Sequence, residues 1–366
     1  MKIFTKQNII DLLYGCTVLG TGGGGGLEEG LEMMEEDFVA GRELQVVDVQ
    51  DIPDDAYIAT PYGCGAPTPA EGIELEEKYK RLPQVEGSPT ILAFKKLEEY
   101  MGQKFFAVSS TELGGLNTAE ALHIACMLGI PIADADPAGR SVPELQHSTY
   151  FIKKVPIAPM GLATQFGDVA ILADVFDDLR AEEIVRAMAV ASNDLIGVAD
   201  HPTTGKIYRE SVIVGALSYA LRVGELLRYA RENGENAAEL IASKERGKVL
   251  FKGEVTAVPW DGVDGFNIGE IQIKGADKFA GDTYRIWYKN ENLISYKNNE
   301  IDVTCPDLIC VFDKDGTPVT NPDAKVGMEV TVIALPAPAI WQTPEGLECF
   351  GPRSFGFNVD YTPFSL

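Results

Sequence analysis

Basic residues are scarce in this sequence: 31 Lys and Arg stand against 55 Asp and Glu, a formal net charge of −24 over 366 residues. Nucleic acid and anionic membrane surfaces reward clustered Lys and Arg, and no such cluster occurs, so neither is expected as a partner. Histidine is rarer still, with three in the chain. The six cysteines (Cys16, Cys64, Cys126, Cys305, Cys310, Cys349) contain no CxxC pair. In a chain this long that spacing implies neither a disulfide scaffold nor a zinc knuckle. No apolar run approaches the roughly 20 residues that span a bilayer. The residues after Lys2 and Lys6 are broken by Asn8, Asp11 and Gly15 and lack a signal-peptide core. The expectation is a cytoplasmic protein with a small-molecule substrate.

What is present is an ordinary globular composition, 45% apolar and 23% charged, in a chain long enough for two domains. Residues 1–165 read as an α/β domain with a mostly parallel sheet. Lys104 to Val108 is strand-like, Ala119 to Leu128 has helical spacing with Thr118 as N-cap and Gly129 as stop, and Ile130 to Asp136 is strand-like again. Such a β-α-β unit aligns the carboxyl ends of its strands on one rim of the sheet. Residues 166–366 read as a C-terminal domain with a helical segment at about 180–246 and, at about 247–366, short apolar runs between Gly-, Asp- and Asn-rich turns. That texture predicts a largely antiparallel β barrel or sandwich with accompanying helices.

The chemistry concentrates between Gly129 and Glu144, where Asp134, Asp136, Arg140 and Glu144 fall within a few residues. If Ile130 to Asp136 is one extended strand, its two-residue period sets Asp134 and Asp136 on one face, roughly 6 to 7 Å apart at Cα. Adjacent like charges separate in proton affinity, which suits one to act as acid and the other as base. The β-α-β unit carries Glu112 to the same rim. His147, close after Glu144, makes Asp134, Asp136 and His147 the candidate ligands of a divalent metal, although no cofactor is required. Gly20 to Gly26 precedes a helical segment, where free N–H groups suit an anion or a close backbone approach. The match to a dinucleotide fingerprint is formal, because the preceding segment is helical and no Lys-Ser/Thr follows. Gly22, Gly23, Gly24 and Gly25 are therefore substrate-binding candidates, with Arg140, Glu144, Asn117 and Thr68. Cys64, between two glycines, reads more readily as a structural thiol than as a nucleophile. His201-Pro202-Thr203-Thr204-Gly205 reads as a turn.

An ordered set of segments carries a resemblance: Gly20 to Gly26, Glu112-Leu113-Gly114-Gly115-Leu116-Asn117, Asp134-Ala135-Asp136 to Glu144-Leu145-Gln146, Lys289-Asn290-Glu291-Asn292-Leu293, Pro306-Asp307-Leu308-Ile309-Cys310, Ala334-Leu335-Pro336-Ala337-Pro338 and Gly351-Pro352-Arg353-Ser354-Phe355-Gly356. Together, nearly end to end, they resemble the S-methyl-thiohydantoin desulfurase family, long catalogued as a domain of unknown function beside hydantoinase and oxoprolinase genes. The resemblance implies a three-layer N-terminal α/β domain, a largely β C-terminal domain, and hydrolysis at C2 of an S-methylated thiohydantoin to methanethiol and a hydantoin. Under that reaction one of Asp134 and Asp136 is expected as base, the other or Glu112 as acid, Arg140 as the substrate's anchor, and the glycine loop as receiver of a substrate carboxylate. Two alternatives stand beside it. One is a metal-assisted hydantoin or lactam amidohydrolase, and the other a non-catalytic accessory subunit of a hydantoinase-type enzyme. The oligomeric state is open, including a homo-oligomer.

Overall fold

The computed structural model describes residues 1–65, 77–193, 195–263 and 265–365. Its strands are β1 (Lys2–Phe4), β2 (Leu44–Val47), β3 (Tyr57–Gly65), β4 (Phe105–Val108), β5 (Ile132–Ala133), β6 (Ala135–Asp136), β7 (Met160–Thr164), β8 (Val169–Leu172), β9 (Leu195–Thr204), β10 (Ile213–Val214), β11 (Lys248–Ala257), β12 (Trp260–Val263), β13 (Phe266–Gly275), β14 (Thr283–Lys289), β15 (Glu291–Lys297), β16 (Glu300–Thr304), β17 (Leu308–Asp313) and β18 (Glu329–Leu335). Its helices are α1 (Lys6–Leu19), α2 (Leu27–Val39), α3 (Pro89–Met101), α4 (Gly115–Leu128), α5 (Thr149–Ile152), α6 (Asp178–Val190), α7 (Gly205–Ser211), α8 (Ala216–Asn233), α9 (Ala237–Lys244) and α10 (Pro344–Phe350). No helix among the described residues is long and apolar enough to cross a membrane.

There are two domains. The first is built on a sheet ordered β1-β2-β5-β4-β3-β9-β7-β8. The expected β-α-β unit is present, with β4 and β5 parallel neighbours joined by α4, and α4 ends at Gly129 in the left-handed region, φ 64°. The helix starts earlier than its sequence suggests, with Gly114 as N-cap, while the Thr118 hydroxyl accepts from the Gly114 N–H. Only the run β2-β5-β4-β3 is parallel; β1, β9, β7 and β8 join antiparallel, so the sheet is mixed rather than mostly parallel. The cause is local. β7 and β8 form a hairpin, and β9 enters against β3 from the far side, which a β-α-β crossover does not do. Helices cover both faces. Phe94, Leu97 and Leu122 join the cluster on Ala59, Val108 and Ile132, whereas Ala181 and Val185 join the one on Tyr62, Leu162 and Val198.

This sheet recruits β8 and β9, which lie beyond residue 165. Helix α8 also belongs with it: the space of a Gly15 Cβ is filled by the Ala220 carbonyl oxygen, at 1.8 Å, so the backbones of α1 and α8 touch. The segment from His201 to Thr204 is not a turn but the end of β9, and helix α7 begins at Gly205.

The second domain is an antiparallel sheet ordered β16-β15-β14-β13-β11-β18-β17, with β12 paired to β13. It curls into a half-barrel around Phe251, Ile271, Ile286 and Val332. The Asn292 amide on β15 reaches across the curl to the Ile309 carbonyl on β17, at 2.9 Å.

Candidate functional site

The acidic stretch does not run as one strand. After β5 the chain bends at Asp134, and β6 leaves the large sheet to pair with β10. Asp134 accepts from the Ser218 N–H at 2.8 Å and from its hydroxyl, and so caps the first turn of α8. It lines a surface hollow with Met1, Lys2, Phe4, Val46 and Asp48. Asp136 turns the other way and is fully buried. Its Oδ1 accepts from the N–H groups of Gly139, at 2.7 Å, and Ala138, at 3.3 Å, while Oδ2 has no partner. Burial drives its proton affinity well above the ordinary carboxyl range; the two N–H groups partly offset this, and the nearby charge of Glu112 adds to it. The expected Asp134–Asp136 acid pair is therefore corrected: the bend sends the two carboxyls to different partners.

Two more acids are buried: Glu112, whose charge acts on Asp136, and Glu291, on which the charge of Glu112 also acts. Glu112 leaves the carboxyl end of β4 in the loop before α4, with Oε1 accepting from Asn117 Nδ2 at 2.7 Å and Oε2 from the Val142 N–H at 2.8 Å. Burial raises its pKa to about 7, against the opposing pull of those hydrogen bonds and of Arg140. The third acid is Glu291, at the start of β15 and 3% exposed. Its carboxyl occupies the space that glycine leaves open, since a Cβ on Gly23 would stand 2.0 Å from Oε1. Glu291 Oε2 has no partner, and burial followed by the charge of Glu112 holds this group protonated well above the ordinary carboxyl range. Nothing in the local sequence of Asn290-Glu291-Asn292 singles out a buried acid, which the fold brings in from the other domain. The only available signal was its place within the segments that carry the resemblance.

The glycine loop works mainly through its carbonyls. The Gly22 carbonyl accepts from Asn321 at 2.8 Å, and the Gly24 carbonyl from the N–H groups of Leu116 and Asn117, at 3.1 Å each. A Cβ on Gly24 would meet Gly114 Cα at 2.4 Å, and one on Gly25 would meet Leu116 Cβ at 2.4 Å. Both glycines have φ of 79°, a conformation that side chains disfavour. The run is a close-approach loop that lets the first turn of α4 and the half-barrel meet.

Arg140 does not face a substrate. It is fully buried, and its N–H groups go to the carbonyls of Ser141 (3.0 Å), Pro306 (3.0 Å), Asp307 (3.2 Å) and Asn292 (3.1 Å) and to the Thr21 hydroxyl (2.7 Å). With its donors consumed, it ties the two domains together. The expectation that it anchors a ligand is corrected on that ground. Glu144 pairs with Lys289 at 2.6 Å. His147 is buried against Phe350 and Phe355, its Nε2 3.5 Å from Glu144 and its Nδ1 without a partner, and burial lowers its pKa to about 4. Asp134, Asp136 and His147 thus hold separate partners. Among the described residues no group of three or more His, Cys, Asp or Glu stands in a metal-holding arrangement. Cys64 is buried and its thiol is pushed up to about 12, which keeps it neutral. Thr68 lies outside the described residues.

A mixed α/β sheet docked on an antiparallel half-barrel, with the buried carboxyls of Glu112, Asp136 and Glu291 as the candidate site, defines a two-domain protein. The chain belongs to the S-Me-THD-like family: the family's N-terminal domain matches residues 7–174 and its C-terminal domain residues 176–364. The family's description points to an enzyme and to thiohydantoin-related function. A crystal structure of a protein from Chromobacterium violaceum shares the fold, with a TM-score of 0.79 and 24% identity over 100% of both chains. No curated protein matches.

Proposed function

We propose that the protein is a hydrolase of five-membered cyclic amide or amidine rings, which adds water at C2 of an S-methyl thiohydantoin and releases methanethiol and a hydantoin. The observation that carries this reading is the trio Glu112, Asp136 and Glu291. One carboxyl has a pKa of about 7 and can take or give a proton at neutral pH. The other two are held protonated by burial, each with a carboxyl oxygen that no protein group engages. Water attacks C2 as Glu112 accepts its proton, and a neutral carboxyl, Asp136 or Glu291, protonates the ring nitrogen. The adduct collapses when its hydroxyl returns a proton to that carboxyl. The C2–S bond breaks, and the departing sulfur takes the proton held by Glu112 to leave as methanethiol. Each carboxyl ends as it began, and the net change is one water consumed.

The family description supports the ring class, and Glu112, able to hold and release a proton near neutral pH, supports the leaving-group step, because a thiolate departs more readily with a proton donor beside it. The test compares methanethiol release from an S-methyl thiohydantoin with ring opening of the plain hydantoin. Thiol release with the hydantoin ring left intact is expected. Ring opening of the plain hydantoin without thiol release would sink the reading.

A further inference from the structure

A second buried polar group stands beside the acid site, and its centre is His201. Strand β9 carries an irregularity there: Thr203 faces Ile58 and Asp200 faces Thr60, so His201 and Pro202 together lie opposite Ala59. His201 takes a φ of 43°, and its N–H leaves the β3 ladder for the Ile157 carbonyl at 3.1 Å. A non-glycine residue in the left-handed region within a strand is disfavoured, and bulges of this kind re-aim side chains.

Here the side chain is turned into the core, 3% exposed. Nδ1 lies 2.9 Å from Asp200 Oδ1, and Nε2 lies 3.6 Å from Asp178 Oδ2, on the first residue of α6. The Tyr62 hydroxyl donates to the other Asp200 oxygen at 2.7 Å. The two carboxylates outweigh desolvation and hold His201 as an imidazolium, with its pKa raised to about 9.

The imidazolium ring stacks on Tyr150, centroids 4.4 Å apart and planes 20° from parallel. From Tyr150 two short paths lead to the acids. Its hydroxyl is 3.4 Å from that of Thr60, beside Ser109, which accepts from Tyr208 at 2.8 Å; the next residue, Ser110, donates to the Glu112 carbonyl at 2.7 Å. Its helix α5 begins at Thr149, whose N–H donates to the Pro137 carbonyl at 2.6 Å, one residue beyond Asp136.

We propose that His201 is a positioning residue of the acid site: hydrogen-bonded to Asp200 and facing Asp178, it fixes Tyr150, and through Tyr150 the two loops that present Glu112 and Asp136. The inference rests on the hydrolase reading for its kinetic arm and on geometry alone for its spectroscopic arm. It explains why a strand interior tolerates a histidine in a disfavoured conformation before a proline. A histidine that served only to fill the core would need neither two carboxylates nor the bulge.

The experiment uses the full chain carrying His201→Asn, since Asn accepts a positive φ, with Tyr150→Phe as a milder second variant that keeps the ring and removes the hydroxyl. The kinetic arm measures methanethiol release against pH. The expected result is a kcat lower by about tenfold or more with KM within about twofold. The rate midpoint belonging to Glu112 should move by about half a unit or more, because the loop that sets its burial and hydrogen bonds has lost its support. The spectroscopic arm follows the Glu112 carboxyl by carbon-13 NMR, with the wild-type His201 ring expected to remain protonated at pH 8. If the wild type releases no methanethiol, the hydrolase reading fails while the carboxyl titration still decides this inference. A folded His201→Asn protein whose Glu112 midpoint and kcat match the wild type would overturn it. Should His201→Asn not fold, the same midpoint is read in Tyr150→Phe, where an unmoved value overturns it equally.

Discussion

At the scale of single residues, burial divides the ionisable groups by the partners they find. His147 and His201 are equally buried, yet one is held neutral with a pKa of about 4 and the other charged with a pKa of about 9. The difference is the company: for His147 two aromatic rings, one carboxylate already paired with Lys289, and the cations Lys289 and Arg140; for His201 two carboxylates. A histidine whose folded pKa is depressed supports the fold above its unfolded value of about 6.5 and costs stability as pH falls toward the folded value. Wild type should therefore lose about 2 kcal/mol relative to His147→Gln between pH 7 and pH 5. Urea unfolding of both proteins at the two pH values measures this, and parallel stabilities would contradict it. The same scale shows why the site was half legible. Asp136 and Glu112 stood out as acids at strand ends, but whether a carboxyl faces water or the core is decided by residues far away. Glu291 lies 179 positions after Glu112, and nothing near it in sequence announces a buried acid.

At the scale of elements, periodicity and stop signals were enough for β4, α4, β5 and most of α8. They failed where backbone geometry departs from repetition. The bend at Asp134 breaks the assumption of one continuous strand, and Pro202 disguises the end of β9 as a turn because proline seldom sits inside a sheet. Glycines within helices mislead in the opposite direction. Gly224 lies inside α8, where propensity alone predicts a gain of about 1 kcal/mol from alanine. The structure predicts a loss, because a Cβ at Gly224 would stand 1.7 Å from the Asp11 carbonyl oxygen of α1. Gly224→Ala should destabilise the protein by about 1 to 3 kcal/mol, the range of an overpacked core. Thermal unfolding checks this, and an unchanged or raised midpoint would contradict the direct helix contact.

At the scale of the whole molecule, the acid site exists only because the two domains are held in register. Arg140 supplies the tie: from the loop after β6 it reaches the Asn292 carbonyl in β15 and the Pro306 and Asp307 carbonyls just before β17, together with Thr21 beside the glycine run. The glycines remove the side chains that would keep the domains apart, and Glu291 fills part of the space they leave. Strands β8 and β9 and helix α8, all after residue 165, pack with the sheet of the first domain. Two-domain architecture was legible because hydrophobic texture changes at Gly247; the seam was not, because it is made of contacts between distant segments.

In the proposed hydrolysis, Glu112 is the group that moves a proton at this seam. The most direct measurement is the pH dependence of methanethiol release by wild type and by Glu112→Gln. Wild-type kcat/KM should rise through a midpoint near the Glu112 pKa of about 7, and the variant should lose about 100-fold or more of the rate while remaining folded. A folded Glu112→Gln protein that keeps the wild-type rate and the same pH midpoint would contradict the account.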